Sequence, residues 1–199
     1  MRKLPIDERG YPVPFFVEWI GGKPEFRAAD AKKLVQCVKE HLCWICGQKL
    51  FREQVFVAGP MCAINRVSSE PPSHRECARY AVVACPFLVK PHMVRREAGM
   101  PEEKVMTEGA LLRNPGVAML WFCHRYKVQR ANPGAYFHMG TPFHVEWYMQ
   151  GRPASRGDVE ESIESGLPLL RASSQIATED DEEELQIQVK FAKRYLPKR

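Results

Sequence analysis

The sequence predicts an α+β protein, and three observations carry that expectation. Short apolar runs punctuated by Gly and Pro mark strands and hairpins. Several stretches with helical spacing begin at a residue that can cap a helix. Strands and helices do not alternate in the regular order that a parallel sheet requires. At 199 residues the chain is long enough for one substantial core, and its composition, 45% hydrophobic and 27% charged, is that of an ordinary globular protein.

The first element is a hairpin. YPVPFFVEWI runs into Gly21-Gly22 and returns as KPEFR, with Pro12 and Pro14 marking an irregular or edge entry. Residues 30–41 follow as a helix with Leu34, Cys37, Val38 and His41 on one face and lysines on the other. Cys37 then reads as a core thiol. A second hairpin is expected at residues 54–67, QVFVAG and CAINRV joined through Gly59-Pro60. HRECARYAVVAC is helical, opened by Ser73 and Glu76 as a capping box and stopped by Pro86. Residues 90–103 form a short helical or irregular stretch.

Residues 117–139 carry two or three strands, with Asn132-Pro133-Gly134 as a turn, and Thr141 to Gln150 is expected to begin a helix. Ser155 with Asp158 caps another helix that runs to about Gly166. The last helix starts near Thr178 with acids in its first turns and lysines and arginine towards its end, as the helix dipole favours. The expected organisation is an α+β half at 1–104 and a small sheet plus helix at 105–170 in the same compact domain. A linker and the acidic helix then occupy 171–199.

The chemistry concentrates in HLCWICGQKL, residues 41–50. Cys43 and Cys46 have the C-x₂-C spacing of half a metal site, and His74 and Cys77, three apart on a helix start, supply the other half. Knuckle, β-hairpin and helix in that order make a treble-clef zinc finger with a Cys₃His ligand set, fused here to a small antiparallel sheet with flanking helices. Four protein ligands close a tetrahedron, so the Zn²⁺ is structural. An iron–sulfur cluster on Cys43, Cys46, Cys77 and either Cys62 or Cys85 is the other metal reading, and buried thiols with a solvated histidine the plainest one. A thioredoxin-like redox pair does not fit, because such a pair opens a helix and this one follows a helix.

The segments LPIDERGYPVPFFVEW, LCWICGQKL, GPMCAINRVSSEPPSHRECA and ACPFLVKPHM together resemble a family of bacterial and phage proteins with no assigned activity. EWYMQGRPASRGDVEESIESGLPLL is similar to the same family, so the resemblance spans most of residues 4–170. It implies a bacterial or phage cytosolic origin and nothing about mechanism.

Net charge is +5, unevenly spread. Residues 1–150 hold 21 Lys/Arg against 14 Asp/Glu, a balance of +7, and residues 151–199 hold 8 against 10, a balance of −2. The longest apolar run, AVVACPFLV, is far shorter than the roughly 20 residues a membrane span needs. MRKLPIDERGYP does not read as a leader, and seven cysteines, an odd number, disfavour a disulfide framework; a cytoplasmic setting is expected.

The functional expectation is a zinc-organised binding module for nucleic acid or a protein partner. Arg75 and Arg79 point outward together from the ligand-bearing helix, joined by Arg66, as a phosphate-binding face. The alternative is a hydrolase or nuclease whose site, between the zinc half and the sheet, would gather Glu70, His92 and one of His124, His138 or His144. Trp121, Phe122, Tyr126, Tyr136 and Phe137 among basic residues read first as one packed face of a sheet. Asn65 reads as a loop residue, and His92 with Arg95 and Arg96 as a solvated turn.

Overall fold

The computed structural model describes residues 4–90, 114–131, 134–173 and 178–198. The stretch expected at 90–103, and with it His92, Arg95 and Arg96, lies outside the described residues apart from Lys90. The architecture is α+β, with small antiparallel sheets and helices packed on both sides of the largest one.

The opening hairpin forms as its turn predicts. β1 (Val17–Ile20) and β2 (Lys23–Ala29) pair with Ile20 opposite Lys23. Gly21 and Gly22 both take positive φ, 56° and 78°, the two-residue turn whose twist matches that of the strands. α1 (Ala31–Glu40) follows, its N-terminus capped by Asp30, which accepts from the N–H groups of Lys32 and Lys33. Cys37 faces inward and is buried. Lys33 Nζ reaches back to the Val17 carbonyl at 2.7 Å, tying the helix to the hairpin.

The main sheet is ordered β3 (Gln54–Ala58), β5 (Val117–Cys123), β8 (Pro142–Met149), β9 (Arg152–Pro153), all antiparallel. A smaller sheet is ordered β4 (Val67–Ser68), β7 (Ala135–Met139), β6 (Tyr126–Arg130). Residues 117–139 thus supply three strands, and the Ala131 N–H bonds the Gly134 carbonyl at 3.1 Å where β6 gives way to β7.

β5 is buried along its whole length, which is why VAMLWFC reads as an unbroken apolar run. Because strand side chains alternate, it serves two cores at once. Val117, Met119, Trp121 and Cys123 join the larger cluster, formed with α2 (Pro60–Asn65), α5 (Arg156–Ser173), α6 (Glu179–Ala192) and β7. Ala118, Leu120 and Phe122 join the smaller one, with Val55 and with Ala78 and Val82 of α3 (Arg75–Ala84), which the short α4 (Pro86–Val89) follows.

Three expectations are corrected. The hairpin at 54–67 does not form: QVFVA is a strand but pairs with β5, residues 60–65 are helical, and β4 pairs with β7. Pro60 at the first helical position favours that helix, and Met61 and Ile64, three apart, are buried with Ala63 against the larger cluster. So short an apolar run cannot be assigned by periodicity alone. Residues 142–149 are a strand, not the start of a helix. Val145, Trp147 and Met149 pack with the larger cluster, which leaves His144, Glu146 and Tyr148 on the α3 side, a period of two. The helix capped by Ser155 and Asp158 forms its reciprocal bonds (Asp158 N–H to Ser155 Oγ, 3.2 Å; Ser155 N–H to Asp158 Oδ2, 2.8 Å) but continues past Gly166 and through Pro168 to Ser173. Burial of Val159, Ile163 and Leu170 along one side accounts for that continuation.

α6 begins at Thr178 with a complete capping box to Asp181. It then places Leu185, Val189 and Ala192, spaced as one helical stripe, in the larger cluster. Arg171 of α5 donates to Glu182 through two nitrogens, and the Trp147 indole donates to the Tyr195 carbonyl at 2.8 Å. The acidic helix is therefore part of the main core. Leu185→Ala is expected to lower the stability of the whole chain by about 3 kcal/mol, the cost of a cavity in a packed core, read as a fall in denaturation midpoint. A change under about 0.5 kcal/mol would show that α6 contributes nothing to the fold.

Candidate metal centre

The knuckle is shaped by its backbone. The Cys43 N–H donates to the Gln48 carbonyl (2.8 Å), the Gly47 N–H to the Cys43 carbonyl (2.8 Å), and the Leu50 N–H to the His41 carbonyl (2.7 Å). Gly47 has φ 68°, and a Cβ there would come 2.6 Å from the Phe15 ring, so this position requires glycine twice over. The turn before β1 braces the knuckle from outside: the Phe15 N–H donates to the Ile45 carbonyl (2.7 Å), and Phe16 stacks on Trp44 at 5.1 Å.

The second ligand pair arrives by a route different from the expected one. Ser73 does not cap the helix. Its backbone exchanges both hydrogen bonds with Val55 (2.8 and 3.0 Å), it is buried, and α3 begins one residue later with His74 in the N-cap position. Pairing with β3 thus locates the start of α3, and that start sets His74 and Cys77 against the knuckle.

The ligand atoms of Cys43, Cys46, His74 and Cys77 all lie within 4.8 Å of one another, close enough to hold a metal ion. For comparison, a tetrahedron with Zn–S bonds of 2.3 Å has sulfur–sulfur edges of about 3.8 Å. Cys43 and Cys77 are buried, and Cys46 and His74 half-buried. His74 Nδ1 faces Cys46 Sγ at 3.3 Å, while Nε2 lies 3.0 Å from the Lys49 carbonyl. A carbonyl only accepts, so Nε2 carries the proton and Nδ1 presents a lone pair to the cluster, the orientation a second partner imposes on a metal-binding histidine. Cys43 Sγ accepts from the N–H groups of Cys46 (3.5 Å) and His74 (3.4 Å).

Thiol acidity sets Cys43 apart from the other cysteines. Hydrogen bonds from the Cys46 and Cys77 thiols push Cys43 far down, with burial opposing and the two N–H groups assisting, and the Cys77 thiol on the donating side goes up. Burial pushes Cys37 up to about 12 and Cys62 and Cys123 up to about 11, leaving them inert thiols. Among the described residues Cys62 and Cys85 do not join the cluster. Cys62 packs against the larger core from α2, and Cys85, eight residues beyond Cys77, lies about 12 Å along the helix.

The arginines proposed as one face do not form one. Arg75 and Arg79 both leave α3 outward, and each is held by a carboxylate through two nitrogens, Arg75 by Glu53 and Arg79 by Glu146. Arg66 sits over Trp121 at 4.5 Å, whereas Arg75 sits over Phe122 at 5.2 Å. Adjacent residues of β5 point to opposite faces, so Arg66 is across the sheet from the other two. The histidines also go separate ways: His124 to the Arg52 carbonyl (3.4 Å), His138 to Gln129 Oε1 (2.7 Å), His144 to Glu146 Oε1 (3.0 Å). Glu70 is exposed beyond β4, its backbone held by the Ser68 hydroxyl. Asn65 closes α2 with its side chain, which accepts from the Val67 N–H at 3.0 Å.

Glu146 joins the ligand-bearing helix to the sheet. It accepts from Arg79, from the Tyr148 hydroxyl (3.0 Å) and from His144 Nε2 (3.0 Å). Neither Glu146 nor Glu53 signals its arginine in the sequence, since that partner lies 22 or more positions away in the chain.

No protein-family model, curated protein or solved structure matches this chain.

Burial raises the Glu146 carboxyl, but the bonds from Arg79, Tyr148 and His144 outweigh it and hold the group below its ordinary value of 4.5. A depressed folded-state value contributes stability that is complete above the unfolded-state value and is lost as pH falls through the folded one. The difference in stability between the wild type and Glu146→Gln is therefore expected to be constant above about pH 5 and to shrink below 4.5, in parallel denaturation series. A difference independent of pH down to 3 would overturn this account of Glu146.

Proposed function

We propose that Cys43, Cys46, His74 and Cys77 hold one structural Zn²⁺, and that the protein is a non-catalytic binding module whose surface this ion organises. The observation that carries the reading is the closed donor set. Three thiols and one imidazole, gathered within 4.8 Å, satisfy a tetrahedral ion with protein atoms and leave no position for a reacting water. Soft thiolates with one borderline nitrogen suit zinc, and neither magnesium nor calcium chemistry fits a site without oxygen donors. Three thiolates on Zn²⁺ leave one net negative charge. The first N–H groups of α3 and the N–H donors to Cys43 offset it.

The local arrangement supports a treble-clef relationship in part: a knuckle, a strand leading away, and a helix whose start returns the second ligand pair. Between them the expected hairpin is replaced by β3, α2 and β4, whose second strand belongs to another sheet. The resemblance to bacterial and phage proteins fits a module of this kind and a cytoplasmic setting, in which the three thiols stay reduced.

Elemental analysis of the purified protein is expected to give about one zinc per chain. His74→Ala and Cys77→Ala are expected to lose it and to unfold the knuckle, because binding energy at such sites is folding energy. Cys37→Ala, Cys85→Ala and Cys123→Ala should retain it. Iron in place of zinc, or full zinc content in Cys77→Ala, would overturn the assignment.

A further inference from the structure

We infer that the protein binds single-stranded nucleic acid where the metal knuckle meets the end of the main sheet. Phe51 and the His124–Phe143 pair act as base platforms, and Lys49, Arg52 and Arg125 as phosphate contacts. The inference rests on the zinc reading in one respect, since the knuckle holds Lys49 and Phe51 in place.

Among the described residues Phe51, 79% exposed, is the most exposed large apolar side chain, and its only ring neighbour is His74 at 6.3 Å. Phe143 is 48% exposed and stacks on His124 with centroids 4.4 Å apart and planes 16° from parallel. His124 Nδ1 donates to the Arg52 carbonyl at 3.4 Å, which fixes the plane of that stack beside the residue following Phe51. That bond brings the segment carrying Phe51 to the end of β5, where His124 stacks on Phe143 at the start of β8.

Leaving such rings in water is unfavourable, and a flat exposed ring offers every base the same π-face. Lys49 and Arg52 flank Phe51 in the chain, and Arg125 follows His124. Lys49, Arg52 and Arg125 are exposed and make no ion pair among the described residues, whereas Arg75 and Arg79 beside them are already paired with Glu53 and Glu146. Stacking rings interleaved with unpaired cations complement a strand of bases and phosphates. A duplex does not fit as well, because its base faces are already stacked on one another. Arg75 and Arg79, their charges engaged, position α3 instead of meeting phosphate.

Labelled single-stranded 15-mers of thymidine and adenosine, the matching duplex, and inorganic polyphosphate as a polyanion without bases are titrated by anisotropy or competition at two salt concentrations. The wild type is expected to bind both single strands at micromolar protein, more tightly than duplex or polyphosphate, and less tightly at higher salt. Phe51→Ala and Phe143→Ala are each expected to weaken single-strand binding about tenfold. Arg52→Ala combined with Arg125→Ala should flatten the salt slope by about 1.4, the value for two phosphate contacts on a single strand. All four positions are exposed, and zinc content of each sample shows that the fold persists. Absence of single-strand binding, equal binding of polyphosphate or duplex, or indifference to the two phenylalanine changes would overturn the inference. One zinc per chain without single-strand binding removes the surface and leaves the metal; ring-dependent binding by zinc-free protein does the reverse.

Discussion

The position of the first turn of α3 is the constraint on which the rest depends. One end of that helix must deliver His74 and Cys77 to the knuckle, and its length must cover Ala118, Leu120 and Phe122 of β5 with Ala78 and Val82. Both requirements are met because the residue before the turn is captured by the sheet. Ser73 exchanges two backbone bonds with Val55, and Val55 stands opposite Phe122 in the next strand. The metal cluster and the smaller core are thus referred to the same strand. Glu146 and Glu53 add the lateral hold, each engaging one arginine of α3 from the sheet side.

This explains the division of the fold around β5. A strand buried on both faces needs a partner layer on each, and the two layers here are made differently. The larger cluster is conventional: Trp121, Met119, Val159, Ile163, Leu185 and Val189 are closed by helices from the C-terminal half. On the other side α3 covers the strand with only Ala78 and Val82, and beyond them a separate cluster at the knuckle gathers Cys43, Ile45, Leu50 and Cys77, with Cys46 and Ala81 packed against it. So few apolar side chains bury little area, and on the proposed reading a bound ion supplies the cohesion that this corner lacks.

What could be read from the sequence follows the range of the interactions responsible. The Gly21-Gly22 hairpin, the helix after Asp30, the stop at Pro86, the cap at Ser155 and the helix start near Thr178 are decided within four residues, and each forms as its signal says. The Cys₃His cluster is legible for a related reason: C-x₂-C and H-x₂-C are two local patterns, even though 27 residues separate them. The misreadings belong to residues whose neighbours are distant in the chain. Residues 60–65 are helical because α5 and α6 bury Met61 and Ile64; Gly166 leaves room for Met61, whose Cε would lie 3.0 Å from a Cβ there. Ser73 has the sequence of a cap, yet β3 takes its backbone first. Arg66 looks like a neighbour of Arg75 in a list of basic residues, but alternation along β5 puts them on opposite faces of the sheet.

The same economy bears on the exposed rings. In a corner held together by apolar packing alone, a phenylalanine five residues beyond a knuckle cysteine would be drawn into the cluster, since burying such a side chain is worth about 2 kcal/mol. Phe51 instead stands 79% exposed next to Leu50, which is 8% exposed. The backbone explains how the two diverge: the Leu50 N–H is tied to the His41 carbonyl and the Gln54 side chain to the Phe51 carbonyl, so the chain leaves the knuckle with Leu50 turned in and Phe51 turned out. On the proposed reading the ion supplies the cohesion of this corner, and the ring is not needed in the core. Phe143 is in a similar position at the start of β8, stacked on His124 and edge-to-face with Phe122, yet 48% exposed. A metal-held corner can thus carry exposed aromatic rings without the instability they would bring to an apolar one.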